Sequence, residues 1–302
     1  MRLLTFVRSP GEAARIGVLR RQGDVLDLAE EAHARRCALP FDTSDMASLI
    51  ASGQPGLHEV EQLLVGTQSK ALAVDTIRLL APVPRPRKNV FCVGWNYLEH
   101  FREGEKFRQT RQELPEHPVF FSKATNAING PFDPIPFDAR VSTELDWEVE
   151  LGVIIGSKGK NIAEAEAMQH VFGYTVVSDV SARNVQKQHG GQYLKGKSLD
   201  GTCPMGPWLV TADEVDPGGL RLITRVNGVV KQDGNTRDMY FKILRLLAEL
   251  SLGLTLEPGD ILSTGTPPGV GFGRTPPEYL KPGDLLETEI VGLGTMRNRI
   301  EE

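Results

Sequence analysis

The segment LDWEVELGVII at 145–155 places two glutamates one residue apart inside an apolar run. On a strand, alternate residues share a face. Trp147, Val149, Leu151, Val153 and Ile155 then form one apolar face that demands burial, and Glu148 and Glu150 project together from the other. Two carboxylates that close repel unless a cation or a proton lies between them. A solvated outer face of an edge strand gives the same pattern, so the pair alone leaves both readings open. The next apolar strand, FGYTVVSDV, brings a third carboxylate, Asp179, at its end, with Ser181 placed to cap a following helix. If the two strands are neighbours, three oxygen donors converge with room for waters and substrate. Such a set suits Mg2+, Mn2+ or Ca2+ rather than zinc or copper. Taken singly, Asp179 also reads as a turn or capping residue.

Other groups lie close by in sequence. Arg183 and Gln186, three apart on the expected helix, share a face, and a guanidinium suits a bidentate grip on a carboxylate. Residues 191–198 match G-x-x-x-x-G-K-[ST] letter for letter. That motif needs a buried strand before it and a helix after it, whereas NVQKQHGG precedes and the Gly- and Pro-rich LDGTCPMGP follows. Nucleotide hydrolysis is therefore set aside. Lys197 reads instead as a lone ammonium in a tight loop, suited to a developing enolate, with Asp200 as its partner or a plain turn residue. His100 and Glu103, also three apart, pair an imidazole with an orienting carboxylate, which suits activation of water. Their segment continues into the charged FRQTRQELPEHP, a solvated surface or a closing flap. The Gly/Pro-dense STGTPPGVGFG at 263–273 follows an apolar strand and offers close backbone amides and the Thr266 hydroxyl, or is simply a turn.

The elements that must carry these residues are mostly strands. The 31 Gly and 20 Pro without a period imply many turns. LLTFV and RIGVLR flank a turn at Pro10-Gly11, Leu57–Val65 suggests a short helix, and APVPRPRKN at 81–89 reads as a linker. These divide the chain into a small N-terminal α+β domain over 1–80 and a larger, β-dominated mixed α/β domain over 81–302. Helices are expected at Tyr97–Glu105, Ile162–His170, Ser181–Gln188 and Met239–Leu252, and a tight turn at Asn227-Gly228. A net charge of −5 argues against nucleic acid or an anionic membrane as partner. No apolar run reaches the roughly 20 residues of a membrane span, and MRLLTFVRSP turns polar too early for a secretory segment. Cys37, Cys92 and Cys203 form neither a disulfide framework nor a zinc site. A cytoplasmic protein is expected.

Five motifs together, NVFCVGWNYLEHFRE, DWEVELGVIIG, GYTVVSDVSARNVQ, GKSLDGTCPMGPW and DILSTGTPPGVG, resemble the fumarylacetoacetate hydrolase family in kind and order, over roughly 85–300. The resemblance implies a catalytic domain of rolled mixed β-sheets, a homodimer, and Mg2+ or Mn2+ held by Glu148, Glu150 and Asp179. By the same likeness Arg183 and Gln186 hold the substrate's distal oxygens, Thr266 contacts its carboxylate, and Lys197 stabilises an enolate. His100 and Glu103 fall on the water-activating pair of a helical lid, and Lys123 on a lysine near the site. Trp95 and the stretch after Glu103 depart from the family's pattern. The expected activity is metal-dependent hydrolysis of a C–C bond in a 2,4-dioxo acid of the acylpyruvate, fumarylpyruvate or diketo-deoxy-sugar-acid type. The alternative is an oxaloacetate-type decarboxylase or a 2-hydroxy-diene-dioate isomerase using the same metal enolate.

Overall fold

The computed structural model describes residues 1–105 and 113–302. Strands dominate a mixed α/β architecture. A long sheet runs through Leu72–Ala73, Asp24–Asp27, Arg15–Leu19, Arg2–Val7, Cys203–Thr211, Val171–Ser178, Val149–Ile155, Ile261–Ser263, Val90–Gly94 and Val119–Lys123 in spatial order. Most neighbours are antiparallel, but Ile261–Ser263 runs parallel to Val90–Gly94. A second, five-stranded sheet contains Val229–Asn235, Arg221–Val226, Leu285–Ile290, Gly294–Glu301 and Ile135–Pro136. The two sheets share one core. Val149, Leu151 and Val153 of the first pack with Leu222, Ile290 and Met296 of the second and with Leu246, Leu247 and Leu250 of the helix Ile243–Ser251.

The leading segment joins the same sheet, because Arg2–Val7 pairs antiparallel with Cys203–Thr211. Its hairpin about Pro10-Gly11 forms as expected. The expected helix at Leu57–Val65 is the second half of a longer one, Met46–Leu64, broken at Gly53 where φ is 59° and ψ is −143°. The helix Leu28–Arg35 escaped the sequence reading. Its signal was local: Asp27 accepts hydrogen bonds from the Ala29 and Glu30 amides, as an N-cap three residues before a glutamate does. Residues Glu164–His170 form a 3-10 helix rather than an α-helix. Asn227-Gly228 makes the predicted hairpin turn, both residues having positive φ.

The segment 145–155 is not one strand. Leu145–Asp146 pairs with Ser181–Ala182, and the long strand begins only at Val149. Trp147 and Glu148 lie between the two strands. From Val149 onward the strand is buried on both faces between Val171–Ser178 and Ile261–Ser263. This excludes a solvated edge strand and leaves the glutamates to be explained by chemistry.

Candidate active site

Strand register delivers the three acids. Val149 lies opposite Ser178, and the Asp179 amide donates to the Glu148 carbonyl at 2.9 Å, so the residues just beyond the paired ends face each other. Glu148, Glu150 and Asp179 are all buried, with ligand atoms within 4.8 Å of one another. Three buried hard oxygen donors fit a divalent cation of the Mg2+ or Mn2+ type, and buried carboxylates of this kind need positive partners.

Three basic side chains supply part of that charge. Lys197 donates to Glu148 at 2.7 Å and to Asp179 at 2.6 Å. It is therefore no lone ammonium. Asp200, its suggested partner, instead accepts from Asn126. Lys123, fully buried, donates to Asp179 at 2.7 Å and to the Val180 carbonyl. Arg183 donates to Glu148 at 2.6 Å, to Asp146 at 2.8 Å and to Gln186 at 3.3 Å, so Arg183 and Gln186 do share a face. Ser181 caps no helix. Its hydroxyl donates to the Asp179 carbonyl, and the helix Arg183–Gln188 starts after Ala182 without a side-chain cap.

The acids differ in electrostatic setting. Burial alone drives the Glu148 carboxyl up, but Lys197 and Arg183 overcome it and hold Glu148 down at about 2. Among the described residues no basic side chain forms an ion pair with Glu150, and the Lys197 charge lowers it less than burial and the neighbouring acids raise it. Burial, reinforced by Asp179 and Glu148, pushes it up to about 8. Its oxygen Oε2 accepts from the Ser263 hydroxyl at 2.5 Å and the Gly265 amide at 2.9 Å.

The Gly/Pro loop turns out to grip the protein's own acids. Besides Gly265 on Glu150, the Gly271 and Phe272 amides donate to Asp146 at 2.6 and 3.0 Å, and the Gly269 amide donates to Glu103 at 3.1 Å. The Thr266 hydroxyl donates to the Val149 carbonyl and accepts from Gln232, although the residue still lines the cavity. Asp146, which the sequence reading passed over, accepts from Arg183 and three amides while fully buried. His100 Nδ1 lies 3.3 Å from Glu103 Oε2 on the short helix Leu98–Glu103. The expected lid beyond Glu103 falls largely on 106–112, outside the described residues. His100, Glu148, Glu150, Arg183, Lys197 and Thr266 line one cavity of about 280 Å³.

The family model for the fumarylacetoacetate (FAA) hydrolase C-terminal region matches residues 89–301. This chain belongs to the fumarylacetoacetate hydrolase family. Among family relatives, it is 39% identical over 293 residues to oxaloacetate tautomerase YisK of Bacillus subtilis (strain 168), covering 94% of this chain and 95% of that one. It is 43% identical over 303 residues to the mitochondrial oxaloacetate tautomerase fahd2 of Xenopus laevis, covering 99% and 90%. The fold superposes with a TM-score of 0.78 on maleylpyruvate hydrolase from Sphingobium sp. SYK-6 in complex with manganese(II) and pyruvate, at 30% identity and covering 100% and 99%. The family membership, the strand-dominated fold and an acidic site suited to a divalent cation are thus as the motifs implied. Among the described residues no helix is long and apolar enough to cross a membrane.

Proposed function

We propose that this chain interconverts the keto and enol forms of a four-carbon 2-oxo dicarboxylate of the oxaloacetate kind. Glu148, Glu150 and Asp179 would hold Mg2+ or Mn2+. The observation that carries the reading is that His100 lines the same cavity as Glu148 and Glu150, which cluster with the buried Asp179. The names of two similar relatives, both oxaloacetate tautomerases, support it. When bound, the cation supplies Lewis-acid stabilisation of the enolate. The chain's own groups do the rest. Glu103 engages His100 Nδ1, which leaves Nε2 to take the proton from C3 and return it to the C2 oxygen. The bond count of the substrate is unchanged. Lys197 adds a fixed positive charge beside the acids, in a buried setting where such charges act strongly.

A second reading, hydrolysis of a C–C bond in a 2,4-dioxo acid, uses the same acids and assigns His100 to water. The maleylpyruvate hydrolase likeness favours it. One experiment separates the two. The protein with Mg2+ or Mn2+ is expected to speed the decay of enol-oxaloacetate above the buffer rate, and Glu150→Gln or chelator to abolish this. Buffer-rate decay, together with pyruvate release from an acylpyruvate, would overturn the tautomerase reading in favour of hydrolysis.

A further inference from the structure

Trp95 has φ of +56°, a region bulky residues rarely adopt. Backbone in such regions clusters at ligand-binding sites, where surrounding structure enforces it. Here the enforcement is visible in the next residue. Asn96 is fully buried; its amide donates to the Phe241 and Thr264 carbonyls and its Oδ1 accepts from the Phe241 amide at 2.7 Å. Its own carbonyl accepts from the Tyr240 amide. Gly265 packs so close that a Cβ there would fall 2.8 Å from Asn96 Cβ. The chain is thus clamped just after Trp95, and the half-buried indole lines the cavity.

Three aromatic rings form a continuous wall. Lys197 Nζ lies 5.2 Å from the Phe121 ring centre. Phe121 meets Tyr193 edge-on at 5.3 Å, and Tyr193 meets Trp95 at 6.5 Å. Trp95 in turn abuts Phe101 of the short helix at 5.7 Å. Glu148, Glu150 and Lys197 line the same cavity as Phe121, Tyr193 and Trp95. A substrate chelated at the acids by its 2-oxo and carboxylate groups would share that cavity with these rings.

We propose that Trp95 is the specificity-determining residue of this site: with Tyr193 it walls off the space beyond the acids and confines the site to 2-oxo acids with short distal groups. The inference rests on the reading that a metal-chelated 2-oxo acid is the substrate. Rigid edge-to-face packing against Tyr193 and Phe101 makes the indole a stop rather than a yielding surface.

Trp95→Gly tests it without threatening the backbone, since glycine adopts this φ freely; an unchanged melting transition would verify folding. Calorimetry on the Mn2+-loaded protein would use oxalate, oxamate and N-alkyl oxamates of growing tail, which share the chelating head. Wild type is expected to lose roughly ten- to a hundredfold in affinity from the smallest to the bulkiest tail. Trp95→Gly should flatten that series to within about threefold and leave oxalate within about threefold of wild type. Tyr193→Ala should flatten it partly. A wild-type series without discrimination, or one that Trp95→Gly preserves, overturns the inference while the proposed function stands. Tighter binding of long tails to wild type would also overturn it, showing the wall to be a binding surface. Failure of wild type to bind oxalate at all would reject the proposed function, and this inference with it.

Discussion

The Lys197 ammonium lies 2.6 Å from Asp179 Oδ2 while also donating to Glu148 at 2.7 Å. It therefore ties together two of the three acids that would hold a divalent ion. Replacing it by Met leaves buried carboxylates short of a counter-charge, and breaking one side of such a pair costs about 3–5 kcal/mol. In chelator, Lys197→Met should unfold at a markedly lower temperature than wild type. Because a bound divalent cation restores the missing charge, its melting temperature should rise further on adding Mn2+ than wild type's does. Turnover should fall on the order of 10²- to 10³-fold. Thermal melts with and without Mn2+ measure this, and equal shifts in the two proteins would contradict it.

The contrast between Glu150 and Glu148 sets a pH dependence. In the metal-free protein burial raises Glu150 from an ordinary 4.5 to about 8, with Asp179 and Glu148 adding to it. Between those values the folded protein keeps a proton that the unfolded chain releases, so stability declines as pH rises from about 4.5 to about 8. Glu148 has the opposite sign. Its stabilisation, from Lys197 and Arg183 acting against burial, is complete above 4.5 and is lost as pH falls toward about 2. A divalent cation must displace the Glu150 proton. Calorimetric affinity for Mg2+ should therefore strengthen with pH up to about 8 and release a proton. Glu150→Gln should lose both the affinity and the slope, and a pH-independent affinity in wild type would refute the assignment.

These acids show what a sequence can and cannot reveal. The apolar alternation from Trp147 to Ile155 marked a buried strand, which begins only at Val149. Spacing alone left a solvated edge open beside a cation site, and the burial of both glutamates excludes the edge. Lys197 was legible as a cation but not as a partner of Glu148, because it ends a short helix, Leu194–Lys197, rather than the expected loop, and meets Glu148 from 49 residues away. Asp146 and Ser263 were missed for a different reason. Asp146 meets the Gly271 amide from 125 residues away, and Ser263 meets Glu150 from 113 away. Periodicity reports which face a residue occupies, and it is silent on which distant loop will donate to it. The 263–273 loop illustrates the same limit. Its glycines predicted close backbone approach, and the groups that the loop amides approach include Glu150, Asp146 and Glu103.

Asp146 gives the clearest test of that hidden network. It is fully buried, and its carboxylate takes Arg183 Nε at 2.8 Å while the Gly271 and Phe272 amides fix it from the other side. Asp146→Asn turns one acceptor into a donor facing amide N–H groups, and an unsatisfied buried group costs about 1–3 kcal/mol. It also leaves Glu148 as the one carboxylate, among the described residues, that pairs with the Arg183 guanidinium. A double-mutant cycle of Asp146→Asn with Arg183→Gln, read by denaturant unfolding, should give a coupling of about 1–3 kcal/mol. Additive effects would show that the two side chains act independently.

Gly273 offers a way to move Glu103 without removing it. A Cβ on Gly273 would fall 2.4 Å from Glu103 Cδ and 2.5 Å from its Oε1. The carboxylate is the free end of a flexible side chain, so it would swing aside rather than force the backbone apart. In doing so it would give up the Gly269 amide and its place beside His100 Nδ1. Gly273→Ala should therefore keep a melting temperature close to wild type and yet lower kcat about as much as Glu103→Gln does, within the 10²- to 10⁴-fold range of a positioned base. KM should change little, since the acids and Arg183 are untouched. The double variant Gly273→Ala with Glu103→Gln should be no slower than Glu103→Gln alone, because both changes remove one and the same orientation of His100. A multiplicative loss in the double variant would mean that Gly273 acts on turnover by some route other than Glu103.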